Sequence, residues 1–509
     1  MSESILAGRE QTRDLQLDCD VVVVGSGASG AVVATELAEA GQDVVVLEEG
    51  PHVPPEVYGR MRPSETLRHM WRDGGTSFAL GLGGSPVINV MMGRCVGGSS
   101  VLTGGVCFRI PDGVLEEWVR DHGLDGMTPQ GMEACFQAVE RAMHVEEVPV
   151  AMRSRSTTLF VDGARKLGVA MAPMRRNTSG CNGCGRCNFG CPHGAKQSVD
   201  VSYLPRARAR GARIVSDALV EDLLLDGDRA RGVLGYFLDG PRARKTYRFT
   251  VRAKRVVVAC GAYHSPLLLR RAGVGRRSGQ VGRNLTLHPS FRIMARFDDP
   301  VHGWRGALQS AWTDHFHDDQ ITLTGMFVPP GVLAGTLPGI GPSHTEKARL
   351  VPNLAVFGGL IHDRGSGTIR RGFGREPIVT YRMAKEDRAA MPVLMRRMAE
   401  IFFAGGAREV FLPILGSPPV KPDGLATLDL TNLNPSRLEC SSQHPLGTCR
   451  MGVSKERSVV KPTGETWDVR ELYVADGSVL PTSLGVNPQV SVMAVATKIA
   501  WGMRETRFA

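Results

Sequence analysis

Positions 21–24 are four consecutive valines with no polar residue among them. A strand with one wet face would alternate, so this run predicts a strand buried on both faces of a parallel sheet. Glycines interrupt the apolar run at 25, 27 and 30, residues 31–40 continue as a helix, Gly41 stops it, and 44–47 read as a second buried strand. Residues 115–143 carry helical periodicity. Three strands follow at 215–225, 233–237 and 247–251, separated by turns at Asp226-Gly227-Asp228 and Gly240-Pro241, a β-meander inserted into the first framework. Residues 256–259 form another buried strand, leading into a helix with Ser265 as N-cap and Pro266 in its first turn. Beyond His288 the pattern alternates at 291–297, 321–327, 354–360 and 377–381, which predicts an antiparallel sheet and a second domain. Met391, Leu394, Met395, Met398 and Phe402 fall at helical spacing, as the core face of one covering helix.

Composition adds bounds to this pattern. A chain of 509 residues is too long for one hydrophobic core, and 42% apolar with 22% charged residues is the balance of an ordinary globular protein. No run of 18 apolar residues is present, and the polar first 20 residues lack the form of a secretory signal. The expected location is cytoplasmic, with a position peripheral to the membrane as the alternative, so the cysteines are expected to be reduced. The net charge of +10 is scattered, apart from Arg206, Arg208, Arg210 and Arg213, which read as a solvated segment leading into a strand at Ile214. No nucleic-acid motif accompanies it, and no nucleic-acid partner is expected.

The candidate chemistry begins at Gly25-Ser26-Gly27, with Gly30 completing G-x-G-x-x-G directly after a strand and at the start of a helix. The first glycine makes the tight turn, the second admits a pyrophosphate, and the third lets helix and strand pack closely. Glu48, 18 residues beyond Gly30, is placed to accept hydrogen bonds from a ribose. Together these predict an adenine dinucleotide site. A second backbone cradle is expected at 93–100, where Gly97, Gly98 and Ser99 leave many N–H groups unobstructed.

His444-Pro445-Leu446-Gly447-Thr448, Ala475-Asp476-Gly477-Ser478 and Asn487-Pro488-Gln489 form the C-terminal signal. With the glycine motifs, Gly261 to Pro266, and Val281 to Leu285 followed by His288-Pro289, they resemble the glucose-methanol-choline (GMC) oxidoreductase family along the whole chain. The resemblance implies an α/β protein: a Rossmann-like FAD-binding domain from residues 15–115, 205–290 and 430–509, with a second α+β substrate domain at 291–429 built on an antiparallel sheet. Residues 116–204 are an insertion carrying a cysteine run. It further implies that Val220 meets the adenine through its backbone, Asp476 lies near the ribityl and phosphates, and Pro488 and Gln489 approach the flavin pyrimidine ring. His444 and Asn487 fall on the active-site pair, with His444 taking the hydroxyl proton and Asn487 holding the developing alkoxide. The sequence departs from the family at Thr103, where asparagine is frequent, and no histidine in 97–103 offers covalent attachment, so FAD is expected to be noncovalent.

Cys181-x-x-Cys184-x-x-Cys187-x-x-x-Cys191-Pro192 has the spacing of a bacterial ferredoxin run. Cys181, Cys184 and Cys187 are expected to hold a three- or four-iron cluster, with Cys191 a further ligand. A structural zinc knot and a reduced loop are the alternatives. Similar runs occur in long-chain alcohol oxidases of the family that the chain resembles. The other seven cysteines, Cys95, Cys260 and Cys449 among them, are read as small core residues. The expectation is an FAD-dependent oxidation of a small-molecule alcohol, bulky or apolar if the segments 326–332 and 356–360 line the pocket. With a cluster, the enzyme is a dehydrogenase serving a separate acceptor, a protein or a quinone. The alternatives are an oxygen-reducing oxidase, a flavin-bound lyase, and a binding protein with a relic nucleotide fold.

Overall fold

A computed structural model describes residues 5–240, 243–326, 329–337 and 339–505. The valine run lies at the centre of the first sheet, at 5% exposure or less. Strand Leu15–Val24 has strand Val44–Leu47 on one side and the long strand Arg244–Val258 on the other, both parallel to it. Beyond Val44–Leu47 come Arg213–Ser216 and Leu6–Ala7. On the opposite side, Arg229–Asp239 and Ala218–Asp226 add antiparallel to Arg244–Val258. The C-terminal part of Arg244–Val258 takes a different neighbour, Leu472–Val474, in parallel. Helices Ala28–Glu39 and Gln489–Glu505 pack together beside this sheet. The close packing of the first helix on its strand depends on Gly30, where a Cβ would stand 2.0 Å from the Gly25 carbonyl oxygen and 3.2 Å from the Ala259 methyl.

The second sheet has eleven strands among the described residues. Its middle is the antiparallel series Ser290–Arg296, Leu354–Ile361, Ile321–Gly325 and Ala311–Phe316. Two pairings are parallel, Pro377–Arg382 on Ser77–Gly81 and Cys440–Ser442 on Ile88–Val90, so the sheet is mixed. Helices Lys385–Ala404 and Arg155–Lys166 cover one face. Met391, Leu394, Met395, Met398 and Phe402 are all buried there, as their spacing predicts. Phe160 stacks on Phe357 at 3.8 Å and meets the edge of Phe402.

Several elements differ from the sequence expectation, each for a local reason. The helical stretch 115–143 is two helices, Asp112–His122 and Pro129–Ala142, parted at Gly123, whose φ of +68° ends the first. The strand expected at 215–225 breaks at Asp217 (φ +52°), so its first half pairs between Val44–Leu47 and Leu6–Ala7 while its second half forms the far edge of the sheet. The runs 247–251 and 256–259 belong to a single strand, because Arg255 is buried and paired with Glu471 at 2.8 Å rather than turning the chain. Ser265 is not an N-cap. The helix already begins at Gly261, and the Ser265 hydroxyl accepts from Cys260 N and donates to Asp476. Pro266 lies within the helix and cannot bond to the Ala262 carbonyl, which instead accepts from the Thr448 hydroxyl at 2.6 Å. Pro241, expected in a turn, and Phe327 and Val328, expected in an apolar stretch, lie outside the described residues. Among the described residues no helix is long and apolar enough to cross a membrane.

Gly30→Ala is expected to destabilise the fold by about 3 kcal/mol, the upper end of overpacking costs, since its new methyl would meet backbone that cannot move aside. Denaturant unfolding of the variant and the parent tests this.

Candidate active site

The two glycine motifs meet face to face. Gly25 turns the chain at φ +103°, and a Cβ on Gly98 would stand 2.8 Å from the Gly27 Cα. Glu48 sets this junction: one carboxylate oxygen accepts from Ser26 N at 3.0 Å and Ser26 Oγ at 2.7 Å, and the other accepts from Gly50 N at 2.8 Å. The Ser26 hydroxyl in turn accepts from Gly97 N at 3.1 Å. Burial pushes the Glu48 carboxyl up, against these hydrogen bonds. Ser99 Oγ accepts from Gly93 N and closes the second loop. A cavity of about 710 Å³ opens here, walled by Gly25, Gly27, Glu48, Gly98 and Val220 at one end and by Asp476, Pro488 and His444 further along. The helix that follows Gly27 points its N-terminus at this space, which suits a pyrophosphate. A Cβ on Gly27 would find only Gly98 Cα, at 4.0 Å, so the space beside it is free for a ligand. The Asp476 carboxylate accepts from Gly261 N, Ser265 Oγ and Ser478 N, tying the C-terminal segment to the helix at 261. Gln489 Oε1 accepts from Thr103 Oγ1 at 2.9 Å, so Thr103 ties the segment after Gly98 directly to the C-terminal helix.

His444 and Asn487 are 43 residues apart in sequence, and their head groups meet at 3.1 Å, Asn487 Nδ2 on His444 Nε2. Asn487 Oδ1 and His444 Nδ1 have no hydrogen-bond partner among the described residues. Burial, then the nearby His288, pushes the His444 imidazole down to about 3, so the ring is neutral. In the sequence His288 is only a landmark, yet its ring packs edge-on against His444 at 5.4 Å. Its Nε2 accepts from Leu484 N and Gly485 N, both at 2.9 Å, which fixes the turn leading to Asn487. The His288 backbone sits at φ +49°, held there by Asp363, which accepts from both Leu287 N and His288 N. Asp363 also accepts from Ser483 Oγ and from Tyr381 Oη. No motif marks Asp363; only its place in the fold shows its role.

Family profiles for GMC oxidoreductases match residues 19–290 and 370–496. The chain belongs to the GMC oxidoreductase family. The uncharacterized GMC-type oxidoreductase Rv0492c of Mycobacterium tuberculosis (strain ATCC 25618 / H37Rv) is 39% identical, over 94% of this chain and 75% of that protein. The long-chain-alcohol oxidase FAO1 of Arabidopsis thaliana is 28% identical, over 97% of this chain and 68% of its own length. Among solved structures, pyridoxine 4-oxidase superposes with a TM-score of 0.73 at 20% identity, covering 96% of this chain and 100% of that one. Membership makes the protein an oxidoreductase with FAD as its cofactor, and the glycine junction, the open face of Gly27 and the unpartnered Gln489 Nε2 fit that group.

No motif of this GMC oxidoreductase marks the ion network on the cavity wall. Arg72, buried, donates to Glu49 at 2.7 Å and to Glu376 at 2.9 Å, and Arg375 reaches Glu49 at 3.3 Å. Burial pushes Glu49 up, but the charge of Arg72 overrides it and takes the carboxyl to about 2. Glu376 lies just before strand Pro377–Arg382, so the network joins the second sheet to the first cradle.

The cysteine run folds around a small cavity lined by Cys181, Cys184, Cys187 and Cys191 together with Arg176 and Lys196. Cys187 and Cys191 are buried, and Cys181 and Cys184 are half-buried. All four are free thiols. Among the described residues no three His, Cys, Asp or Glu side chains converge closely enough to hold one metal ion. The expected zinc or iron-sulfur site is therefore not shown by side-chain geometry. The residues around the cavity do fit a thiolate-bound group: burial raises the Cys187 thiol, but the charges of Arg176 and Lys196 and the Arg176 hydrogen bond bring it below its ordinary value.

Gly27→Ala is expected to leave folding intact and to weaken FAD retention by tenfold or more, read by flavin fluorescence on dilution. His288 is pushed from 6.5 to about 3 by burial and then by His362. The unfolded chain therefore binds a proton that the native state refuses, so native stability falls as pH drops from 6.5 towards 3. Relative to His288→Asn, the parent should lose about 2 kcal/mol between pH 7 and pH 5, measured by denaturant unfolding at each pH.

Proposed function

We propose that this protein oxidises an alcohol, with His444 as the base and Asn487 as the group that holds the alcohol oxygen. The observation that carries this reading is the 3.1 Å approach of the two head groups, with His444 on the wall of the cavity. An alcohol carbon releases hydride readily only as its hydroxyl proton leaves. Asn487 Nδ2 faces His444 Nε2 in the resting pair, and the alcohol hydroxyl would displace this contact to give its proton to Nε2. The Asn487 amide N–H then binds the oxygen as it gains negative charge. His288 and Asp363 hold the two partners in place from behind. FAD, when bound, supplies the two-electron acceptor. A long-chain or similarly apolar alcohol is the favoured substrate class, supported by the likeness to the plant long-chain-alcohol oxidase.

Gly25, Ser26, Gly27, Gly30 and Glu48 would hold the adenosine and pyrophosphate half of the cofactor, and Gly97, Gly98, Ser99, Asp476, Pro488 and Gln489 its flavin half. Val220 would meet the adenine. For the fate of the electrons, the reading is a dehydrogenase that serves a protein or quinone acceptor, with Cys181, Cys184, Cys187 and Cys191 holding an iron-sulfur cluster. The buried cations beside the four thiols support it over a loop of neutral thiols.

Anaerobic mixing with a long-chain alcohol is expected to bleach the flavin. His444→Ala should slow bleaching by about 10²- to 10⁴-fold and Asn487→Ala by about 10²-fold. Bleaching of the His444 variant at the parental rate would remove the base from the reaction. Turnover of the parent without bleaching would point to a lyase instead. Rapid peroxide formation in air by protein free of iron would favour the oxidase.

A further inference from the structure

Two cations are buried beside the cysteine run. Arg176 is fully buried, with Nε donating to the Gly104 carbonyl at 2.9 Å and Nη2 to Cys187 Sγ at 2.9 Å. Lys196 is 2% exposed and directs its ammonium at three carbonyls: Val101 at 2.6 Å, Thr103 at 2.9 Å and Cys187 at 2.8 Å. Among the described residues neither forms an ion pair with a carboxylate. Asp200 is near, and one of its oxygens accepts from the Tyr58 hydroxyl at 3.0 Å. Taking an unpaired cation out of water costs several kcal/mol even after relaxation. Four neutral thiols leave Arg176 without a counter-charge and Lys196 with only the nearby Asp200 carboxylate, whereas thiolates around a metal group carry net negative charge. An anionic occupant would complete the charge balance of this cavity.

Lys196 reaches beyond the cysteine loop. Thr103, whose carbonyl it binds, donates its hydroxyl hydrogen to Gln489, two residues from Asn487. One ammonium group thus joins the Cys187 backbone to the segment 101–103, and the Thr103 hydroxyl carries the link on to Gln489.

We propose that Arg176 and Lys196 are the positioning and charge-compensating residues of an iron-sulfur cluster held by the cysteine run, and that Lys196 also fixes this site in register with the flavin cradle. The proposal rests on the reading that the cysteines bind iron and sulfide. Zinc would satisfy the same charge balance, but no three of the cysteines converge on a single-ion point among the described residues.

The test uses anaerobically purified full-length protein with its flavin, assayed for iron, zinc and acid-labile sulfide, followed by potentiometric titration of the cluster. Removing a neighbouring positive charge disfavours the more negative, reduced cluster. Arg176→Gln and Lys196→Met are therefore expected to shift the reduction equilibrium at least tenfold, a fall of about 59 mV for one electron. Arg176→Lys retains the charge and should stay closer to the parent, which a merely structural role would not produce. Lys196→Met should in addition alter the visible circular dichroism of the flavin. If Lys196→Met does not fold, the Arg176→Gln and Arg176→Lys pair decides the question. A parental cluster whose potential is unmoved in Arg176→Gln, or moved equally in both Arg176 variants, overturns this proposal and leaves the cluster standing. Parent protein without iron and sulfide, or with stoichiometric zinc, overturns the cluster reading and this proposal with it.

Discussion

Two loops distant in sequence are pressed backbone to backbone at Gly27 and Gly98, and the Glu48 carboxylate is what holds them there. It accepts from the backbone and hydroxyl of Ser26, and Ser26 passes the link on to Gly97. A carboxylate accepting several N–H and O–H bonds offsets much of the cost of its burial. Spacing alone casts Glu48 as a ribose acceptor. The structure gives it a further task, since three hydrogen bonds to it are already made within the protein and the cradle's shape depends on them.

The strongest local signals are the most legible in the sequence. Valines 21–24, the glycine spacing and the buried helix around Met391 to Phe402 are short-range patterns, and short-range patterns are what periodicity reports. Strand limits set by single residues are not legible. Asp217 breaks a strand through a positive φ, and Arg255 continues one because Glu471, 216 residues away, neutralises it. Pro266 looks like a helix start because nothing local shows that Thr448 satisfies the carbonyl it leaves unbonded.

The candidate site follows the same division. His444 and Asn487 are found through the motifs that contain them, and so are the four cysteines. Their supports, His288, Asp363, Arg176 and Lys196, come from segments whose sequence carries no motif for the role. Asp363 is one residue after a histidine in an ordinary loop, yet it fixes two backbone N–H groups and two hydroxyls. Such residues are defined by what folds against them, so only the assembled structure reveals them.

The strand Arg244–Val258 exchanges one neighbour for another along its length, ending beside Leu472–Val474. Its last residues stay unpaired on one side until that late segment emerges from the ribosome. The N-terminal glycine motif, made hundreds of residues earlier, must therefore wait in a nascent chain with an open β edge. An edge of valines left open for that long invites pairing with other chains, and a chaperone that shields it during synthesis would have a clear physical target.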